Sequence, residues 1–488
     1  MEDYRQQLVD GEWVTGSGDE YQSINPYTGE AWAVFSEASE GDVDRAVRSA
    51  TDAFEVWRRT PGRVRGELLT KLADLIIRDL DRLAEIETRD NGKLLRENKN
   101  QITFVARNLR FMAGLADKIT GESKPLDTLD IIDYTEREPL GVCAGICAWN
   151  SPLSNVSNKL GPALAAGNTM VLKPSEYTSA SALELGRLVC EAGFPPGVVN
   201  VVTGAGATGQ ALTSHPGVAK ISFTGGVETA RRIAENGAQN IVPALFELGG
   251  KSANIIFSDA DMDLAIPGAV SGIFAAAGQT CVAGSRLLVQ DEVYDDVVNA
   301  VVERTKAIKL GDPMDPATHV GPLAFAAHNT RVKAAIASAH EDGARLVAGG
   351  GAPEGMEDTL FVQPTIFADV TPKMRLAQQE VFGPVLAIMR FTSEEEAITI
   401  ANGTNFGLVA GLWTTNLTRA HRVSRELRAG TIYINMYRAI SAQAPAGGIK
   451  HSGYGRERGT EVLHEYTTTK NTMINLSEVP RDPFLLGT

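Results

Sequence analysis

Gly141-Val-Cys-Ala-Gly-Ile-Cys-Ala148 is an apolar run of strand length that stops at Trp149-Asn150. The pattern repeats, for Thr169–Leu172, Val198–Val202, Ala219–Phe223 and Ala244–Leu248 are short apolar runs separated by helical stretches. Strands spaced by single helices form βαβ units, and these build a parallel sheet. Such sheets bind ligands at the carboxyl ends of their strands, where the loops of this chain carry Asn150, Lys173, Gly204 and Gly225. A second α/β series begins after Gly249-Gly250, with strands expected at Ala253–Phe257, Arg286–Gln290, Val385–Phe391 and Thr431–Asn435. Upstream of the first series, Val43, Ala46, Val47, Ala50, Phe54 and Trp57 recur at helical spacing, and Leu68, Leu69, Leu72, Leu75, Ile76 and Leu80 repeat it. Residues 465–477 alternate like a late strand with too little around it to form a core.

At 488 residues the chain exceeds what one hydrophobic core serves, so two or more domains are expected. Its 43% hydrophobic and 22% charged residues are those of a soluble globular protein. A net charge of -14 with no Lys/Arg run excludes a nucleic-acid or anionic-membrane partner, since both need a cationic footprint. No apolar run reaches membrane-spanning length, and the opening Met-Glu-Asp-Tyr-Arg-Gln-Gln has no secretory pattern. Cys143, Cys147, Cys190 and Cys281 have neither metal-ligand spacing nor the density of a disulfide framework. A cytoplasmic protein without a metal is expected.

Phe274-Ala-Ala-Ala-Gly-Gln-Thr-Cys281-Val-Ala-Gly-Ser-Arg286 leaves one thiol among small uncharged neighbours. Cys281 reads either as an accessible nucleophile or as a packed small hydrophobe. Gly204-Ala-Gly206-Ala-Thr-Gly209 is a literal G-x-G-x-x-G after a strand, but its helix candidate, 210–214, is cut short by His215-Pro216-Gly217. It reads as a loop near a cofactor. Ser222-Phe-Thr-Gly225-Gly226, which opens a helix expected over 230–236, is the better phosphate site, with an ordinary glycine turn as the alternative. Asn150 is an oxyanion donor or a turn former. Glu176, near Lys173 at a strand end, can accept both hydroxyls of an adenosine ribose. Glu247, between an apolar strand and two glycines, is a general base if buried, and a capping or salt-bridged residue otherwise. Glu380 has a similarly apolar flank.

Together these segments resemble the NAD(P)-dependent aldehyde dehydrogenase superfamily, with matching runs from Asn25-Pro26 to the C-terminal strand. They include Trp149-Asn150, Lys173-Pro-Ser-Glu176, Phe223-Thr-Gly225, Glu247-Leu-Gly-Gly-Lys251, Gly278-Gln-Thr-Cys281, Glu380-Val-Phe-Gly-Pro384 and Pro445-Ala-Gly-Gly-Ile-Lys450-His-Ser-Gly-Tyr-Gly-Arg456-Glu. The resemblance implies an α/β fold with a Rossmann-like cofactor domain (1–118 and 138–249), an α/β catalytic domain (250–450) and a small β oligomerisation element (119–137 and 460–480). It also implies a homodimer or homotetramer. Cys281 would add to an aldehyde, Asn150 and the Cys281 N–H would hold the oxyanion, and Glu247 would activate the water that releases the acid. NAD would lie along Trp149, Lys173, Glu176, Gly209, Phe223, Thr224, Gly225, Glu380 and Phe382. Glu176 disfavours the 2′-phosphate of NADP, and Lys173 beside it softens that preference.

Some positions depart from familiar members. Ser151, Asn155, Asn158 and Ala446 stand where the substrate tunnel is often aromatic or large and apolar, and Arg438 adds a cation after Asn435. A polar wall discriminates poorly for a fatty chain, because buried amides lose water without gaining a partner. A polar, carboxylated or ring-bearing aldehyde is therefore expected, unless Arg438 is a surface residue paired elsewhere. Ala230 replaces a frequent glycine and is small enough to change little. The rival functions are a CoA-acylating dehydrogenase, a cysteine hydrolase or esterase without redox chemistry, and a non-catalytic protein that keeps the fold.

Overall fold

The computed structural model describes residues 1–478 and Phe484. Five parallel strands form the centre of an eight-stranded sheet, in the order Ala244–Glu247, Val218–Thr224, Val142–Ile146, Thr169–Lys173, Val199–Val201. Antiparallel strands close both sides, Gly453–Tyr454 on one and Gln6–Val9 with Glu12–Thr15 on the other. From Val142–Ile146 the chain winds outward through two strands, then returns to the opposite side of its starting strand. The strand order thus reverses between Val142–Ile146 and Val218–Thr224, which opens a crevice at their carboxyl ends.

Strand periodicity explains why these runs carry no polar side. Cys143, Met170, Leu172 and Val201 pack into one core with the helices that hold Leu69, Leu109 and Leu160. Val142, Ala144, Ile146, Val171 and Ile221 face the opposite core, with Val43 and Val47. Both faces are buried, so nearly every position must be apolar.

The second sheet has seven strands, in the order Arg345–Ala348, Thr365–Ala368, Val385–Phe391, Arg286–Gln290, Ala253–Ile256, Val409–Trp413, Thr431–Ile434, parallel except at the first pair. Three of these escape the apolar pattern. Val409–Trp413 contains Gly411, a poor strand former, yet a Cβ there would meet the Tyr437 ring at 2.5 Å. Arg345–Ala348 and Thr365–Ala368 are only four residues each.

Two helices near the cofactor motifs are longer than expected. Gly204–Gly209 is no loop, because a helix begins at Gly206 and runs to Ser214. The next spans Val227–Gln239 and has Gly226 as its N-cap. A three-stranded sheet joins Ser123–Lys124, Ile131–Pro139 and Thr467–Asn475. Ile132, Met473 and Ile474 are exposed on it. Residues 479 and 480, at the end of the expected oligomerisation segment, lie outside the described residues.

Arg286 locks the second sheet to its helices. Its guanidinium donates to the carbonyls of Lys251 (2.8 Å), Ile400 (2.7 Å) and Ala401 (2.7 Å), the last two ending the helix Glu394–Asn402. Arg286→Ala leaves three carbonyls without this donor, and a loss of about 3 kcal/mol or more is expected as a lower urea midpoint. Arg286→Lys should not restore it, since an ammonium lacks the planar fork.

Candidate active site

The two sheets meet at opposite ends. Glu247, Thr224, Asn150 and Lys173 sit at the carboxyl ends of strands of the first sheet or just after them, whereas Cys281, Glu380 and Gly250 precede strands of the second. Between them lies a cavity of about 1540 Å³. Cys281, Glu247, Asn150, Trp149, Lys173, Glu176, Gly209, Phe223, Thr224, Gly225, Glu380, Phe382, Ser151, Asn155, Asn158 and Arg438 all line it.

Ala446 does not. Its backbone exchanges two 2.7 Å hydrogen bonds with Glu457 in an isolated bridge.

The loop that presents Cys281 is strained and tied down. Ala276 and Ala277 adopt left-handed φ of 55° and 53°, which costs a residue with a Cβ roughly 1–3 kcal/mol. Glu97 Oε1 accepts from the Ala276 N–H at 3.0 Å, and Gln279 Oε1 accepts from the Ala324 N–H at 2.9 Å. Gly278 is required, because a Cβ there would meet the Gly383 carbonyl oxygen at 2.1 Å. Asn150 Nδ2 donates to the Gln279 carbonyl at 3.0 Å, which brings its amide to the Cys281 loop. The amide has a second N–H, and the Cys281 N–H makes no hydrogen bond among the described residues. Lys93 Nζ supports the Asn150 carbonyl at 3.1 Å.

Charges set the resting state. Burial pushes the Cys281 thiol up to about 12, and Glu247 and Glu380 add to the shift while Arg458 opposes it. Burial also raises Glu247, reinforced by the nearby Glu457 and opposed by Lys159, and Glu247 Oε1 has no hydrogen-bond partner. Glu380 rises to about 7 through burial, against the Gly250 N–H that it accepts at 2.9 Å. The thiol therefore rests neutral, beside a carboxyl able to exchange a proton near neutral pH.

The sequence reading missed Lys159 and Glu457. Buried and 2.7 Å apart, they link Asn158, Thr224 and the C-terminal segment behind Glu247. The one available signal was a lysine inside the apolar helix Pro152–Ala166. Arg458, also on the cavity, was missed too, because Arg456-Glu-Arg458 reads as solvated charge. On the cavity wall Trp149 packs edge-on to Phe325 and Phe382, each at 5.3 Å.

A thiol, an amide and a carboxyl raised by burial line one cavity. The chain belongs to the aldehyde dehydrogenase family, whose profile matches residues 13–472. It is 45% identical over 486 residues, 99% of each chain, to the (Z)-2-((N-methylformamido)methylene)-5-hydroxybutyrolactone dehydrogenase of Acinetobacter baylyi. It is 43% identical to the betaine aldehyde dehydrogenase of Bacillus subtilis, covering 96% of this chain and 98% of that one. The crystal structure of a Staphylococcus aureus betaine aldehyde dehydrogenase in complex with NAD+ superposes with a TM-score of 0.96 at 38% identity, covering 99% of this chain and 97% of that one. The fold is thus α/β of the aldehyde dehydrogenase kind.

The charge balance around Cys281 is testable through its reactivity. Glu247→Gln removes an anion that holds the thiol up, so the thiolate fraction at pH 8 increases. Alkylation by iodoacetamide, followed by mass spectrometry with the exposed Cys190 as internal reference, should speed up several-fold at Cys281. Slower alkylation would mean that Glu247 acts on the thiol as a base at rest.

Proposed function

We propose that this protein oxidises an aldehyde to its carboxylic acid with NAD, through a covalent adduct on Cys281. The observation that carries the reading is the convergence of Cys281, the Asn150 amide and the unpartnered Glu247 carboxyl on one cavity. Cys281 adds to the carbonyl carbon as the thiolate, its proton passing to solvent. The oxygen becomes an anion held by the Asn150 amide and the Cys281 N–H. Re-formation of the carbonyl expels hydride and leaves a thioester on Cys281. Glu247 then takes a proton from water, whose oxygen attacks the thioester and releases the acid. In sum, RCHO, NAD+ and H2O give RCOO−, NADH and two protons.

Several features fit a dinucleotide. The helix Val227–Gln239 begins at Gly226 with no side-chain cap, and the helix Gly206–Ser214 also starts uncapped on the cavity, so backbone N–H groups of both are free for a pyrophosphate. Glu176 would receive the adenosine ribose, Glu380 the nicotinamide ribose, and Trp149 with Phe382 would flank the ring. Bound there, NAD supplies the hydride acceptor and a cationic ring beside the sulfur. The NAD+ complex of the Staphylococcus relative supports this assignment.

The names of the relatives bear on the substrate. A 5-hydroxybutyrolactone is the ring-closed form of a 4-oxo acid, so the Acinetobacter enzyme is named for a polar, ring-forming aldehyde equivalent. Betaine aldehyde is a quaternary ammonium aldehyde, and a cavity lined by Arg438 and Arg458 is poorly suited to a cation. A polar aldehyde without positive charge is the substrate class we assign.

We also divide the chain into the cofactor, catalytic and oligomerisation segments given above, a division that the separate sheets support. Thr467–Asn475 would extend a neighbouring subunit's sheet in a cytoplasmic homodimer or homotetramer.

The reaction is tested with an aldehyde, NAD and the purified chain. Cys281→Ala should abolish NADH formation. Glu247→Gln should give a burst of about one NADH per subunit followed by turnover slowed about 100-fold or more, because the thioester forms and its hydrolysis stalls. Acyl-CoA formation on adding CoA would point to the acylating reaction, and acyl-group hydrolysis without NADH to a hydrolase.

The pH profile probes Glu457. Its charge helps to raise Glu247, so activity is lost as pH falls through a value above the ordinary carboxylate range. Glu457→Gln removes that charge and leaves the Lys159 cation, both of which lower Glu247. The acid limb of kcat should move down by on the order of one pH unit.

A further inference from the structure

The polar wall expected from Ser151, Asn155 and Asn158 is mostly committed within the protein. Ser151 Oγ accepts from Lys93 at 3.3 Å, and Asn155 Nδ2 donates to the Ala148 carbonyl at 3.1 Å. Asn158 donates to Glu457 at 2.9 Å and accepts from Asn108 at 3.2 Å. Two cations on the same cavity also keep free charged donors.

Arg438 follows the strand Thr431–Ile434 and lies at the end of the helix Met262–Phe274, where Nη1 donates to the carbonyls of Ser271 (3.1 Å) and Ala275 (3.3 Å). Among the described residues its Nε and Nη2 make no hydrogen bond, and no carboxylate pairs with it. Arg438 is thus committed to the helix end through Nη1 alone. Arg458 makes no hydrogen bond or ion pair at all among the described residues. Its Nε is buried without an acceptor, and its guanidinium lies 5.8 Å from the centre of the Phe104 ring.

Both arginines line the cavity that holds Cys281, as do Phe104 and Tyr433. A buried charged donor without an acceptor is unfavourable, and an anionic ligand removes the penalty. A guanidinium is planar and offers parallel N–H groups to the two oxygens of a carboxylate.

We propose that Arg438 and Arg458 form an anion subsite that holds the carboxylate of an aldehyde acid while its carbonyl carbon meets Cys281. The substrate is then a short ω-oxo acid. This assignment rests on the reaction proposed above and narrows its substrate. It also places Arg458, absent from the sequence reading, as a specificity-determining residue. The charge of Arg458 bears on both Cys281 and Glu247, in keeping with a position beside the reacting atoms.

The test compares kcat/KM for succinic semialdehyde, its methyl ester and a trimethylammonium aldehyde of similar length, in the wild type, Arg438→Met and Arg458→Met. The wild type should favour the acid over the ester by about 10- to 100-fold and reject the cation further. Each variant should reduce the acid-to-ester ratio by about tenfold, mainly through KM. Equal use of acid and ester by the wild type, or an unchanged ratio in both variants, would overturn the subsite.

A binding readout separates this from the reaction itself. Succinate, which has no aldehyde, should slow iodoacetamide alkylation of wild-type Cys281 and lose this effect in Arg458→Met. If no aldehyde is oxidised but succinate protects, the reaction fails and the subsite stands. If aldehydes are oxidised and succinate gives no protection, the subsite fails and the reaction stands. Stronger protection by inorganic phosphate than by succinate would overturn the carboxylate assignment in favour of a phosphorylated aldehyde.

Discussion

The site depends on two missing side chains. Gly249 and Gly250 carry the chain from the last parallel strand of the first sheet toward the first strand of the second, where a Cβ would displace the Glu380 carboxylate or meet the Cys281 backbone. A Cβ on Gly249 would lie 2.0 Å from a Glu380 carboxylate oxygen, and one on Gly250 would lie 2.8 Å from the Cys281 carbonyl oxygen. Because both are absent, Glu380 and the Cys281 loop close onto the backbone just beyond Glu247. The Gly250 N–H donates to Glu380 at 2.9 Å, so the crossover is a ligand of the site as well as its hinge. Groups from two sheets are thereby held together by backbone geometry, with little dependence on long side chains.

That closeness has an electrostatic cost. Glu457 makes the buried Glu247 harder to ionise, and burial raises Glu380 close by. Lys159 answers Glu457 directly, whereas Lys251 acts on Glu380 through its charge without a hydrogen bond. Its Nζ is buried without a hydrogen-bond partner, and burial pulls it down to about 7. Such arrangements destabilise a resting protein and are kept where protons must move. The strained Ala276-Ala277 pair is of the same kind, since bonds from Glu97, Asn150, Arg438 and Gln279 hold its loop.

The legible parts of the fold are those fixed by local pattern. Val142–Ile146 and Thr169–Lys173 are buried at every residue, so length and apolarity alone announce them, and their ends announce Asn150 and Lys173. The family motifs could be read for the same reason: each is a contiguous run. What escaped was set by contacts between distant positions. Lys159 and Glu457 are 298 residues apart, and nothing in either neighbourhood names the other. The helix at Gly206 was hidden by its own glycines, and it forms because the strand before it and the core beneath it fix its start. Ala446 was misplaced because its position follows from a backbone bridge to Glu457, which composition cannot reveal.

A polar residue on a cavity wall describes a ligand only through the donors and acceptors it has left. Applied to the adenosine end, this separates two neighbours that the sequence treats alike. Lys173 Nζ already donates to the carbonyls of Pro174 and Gly204, so one N–H of its three remains. Glu176 is half-buried, and its carboxylate takes only a 3.4 Å contact from Ser175 Oγ. On the reading proposed above, a ribose with two hydroxyls finds an open acceptor there. A 2′-phosphate finds the same carboxylate repelling it, and a lysine with a single donor to offer in compensation. The balance supports NAD over NADP, and it does so because Lys173 is occupied with holding the Gly204 turn.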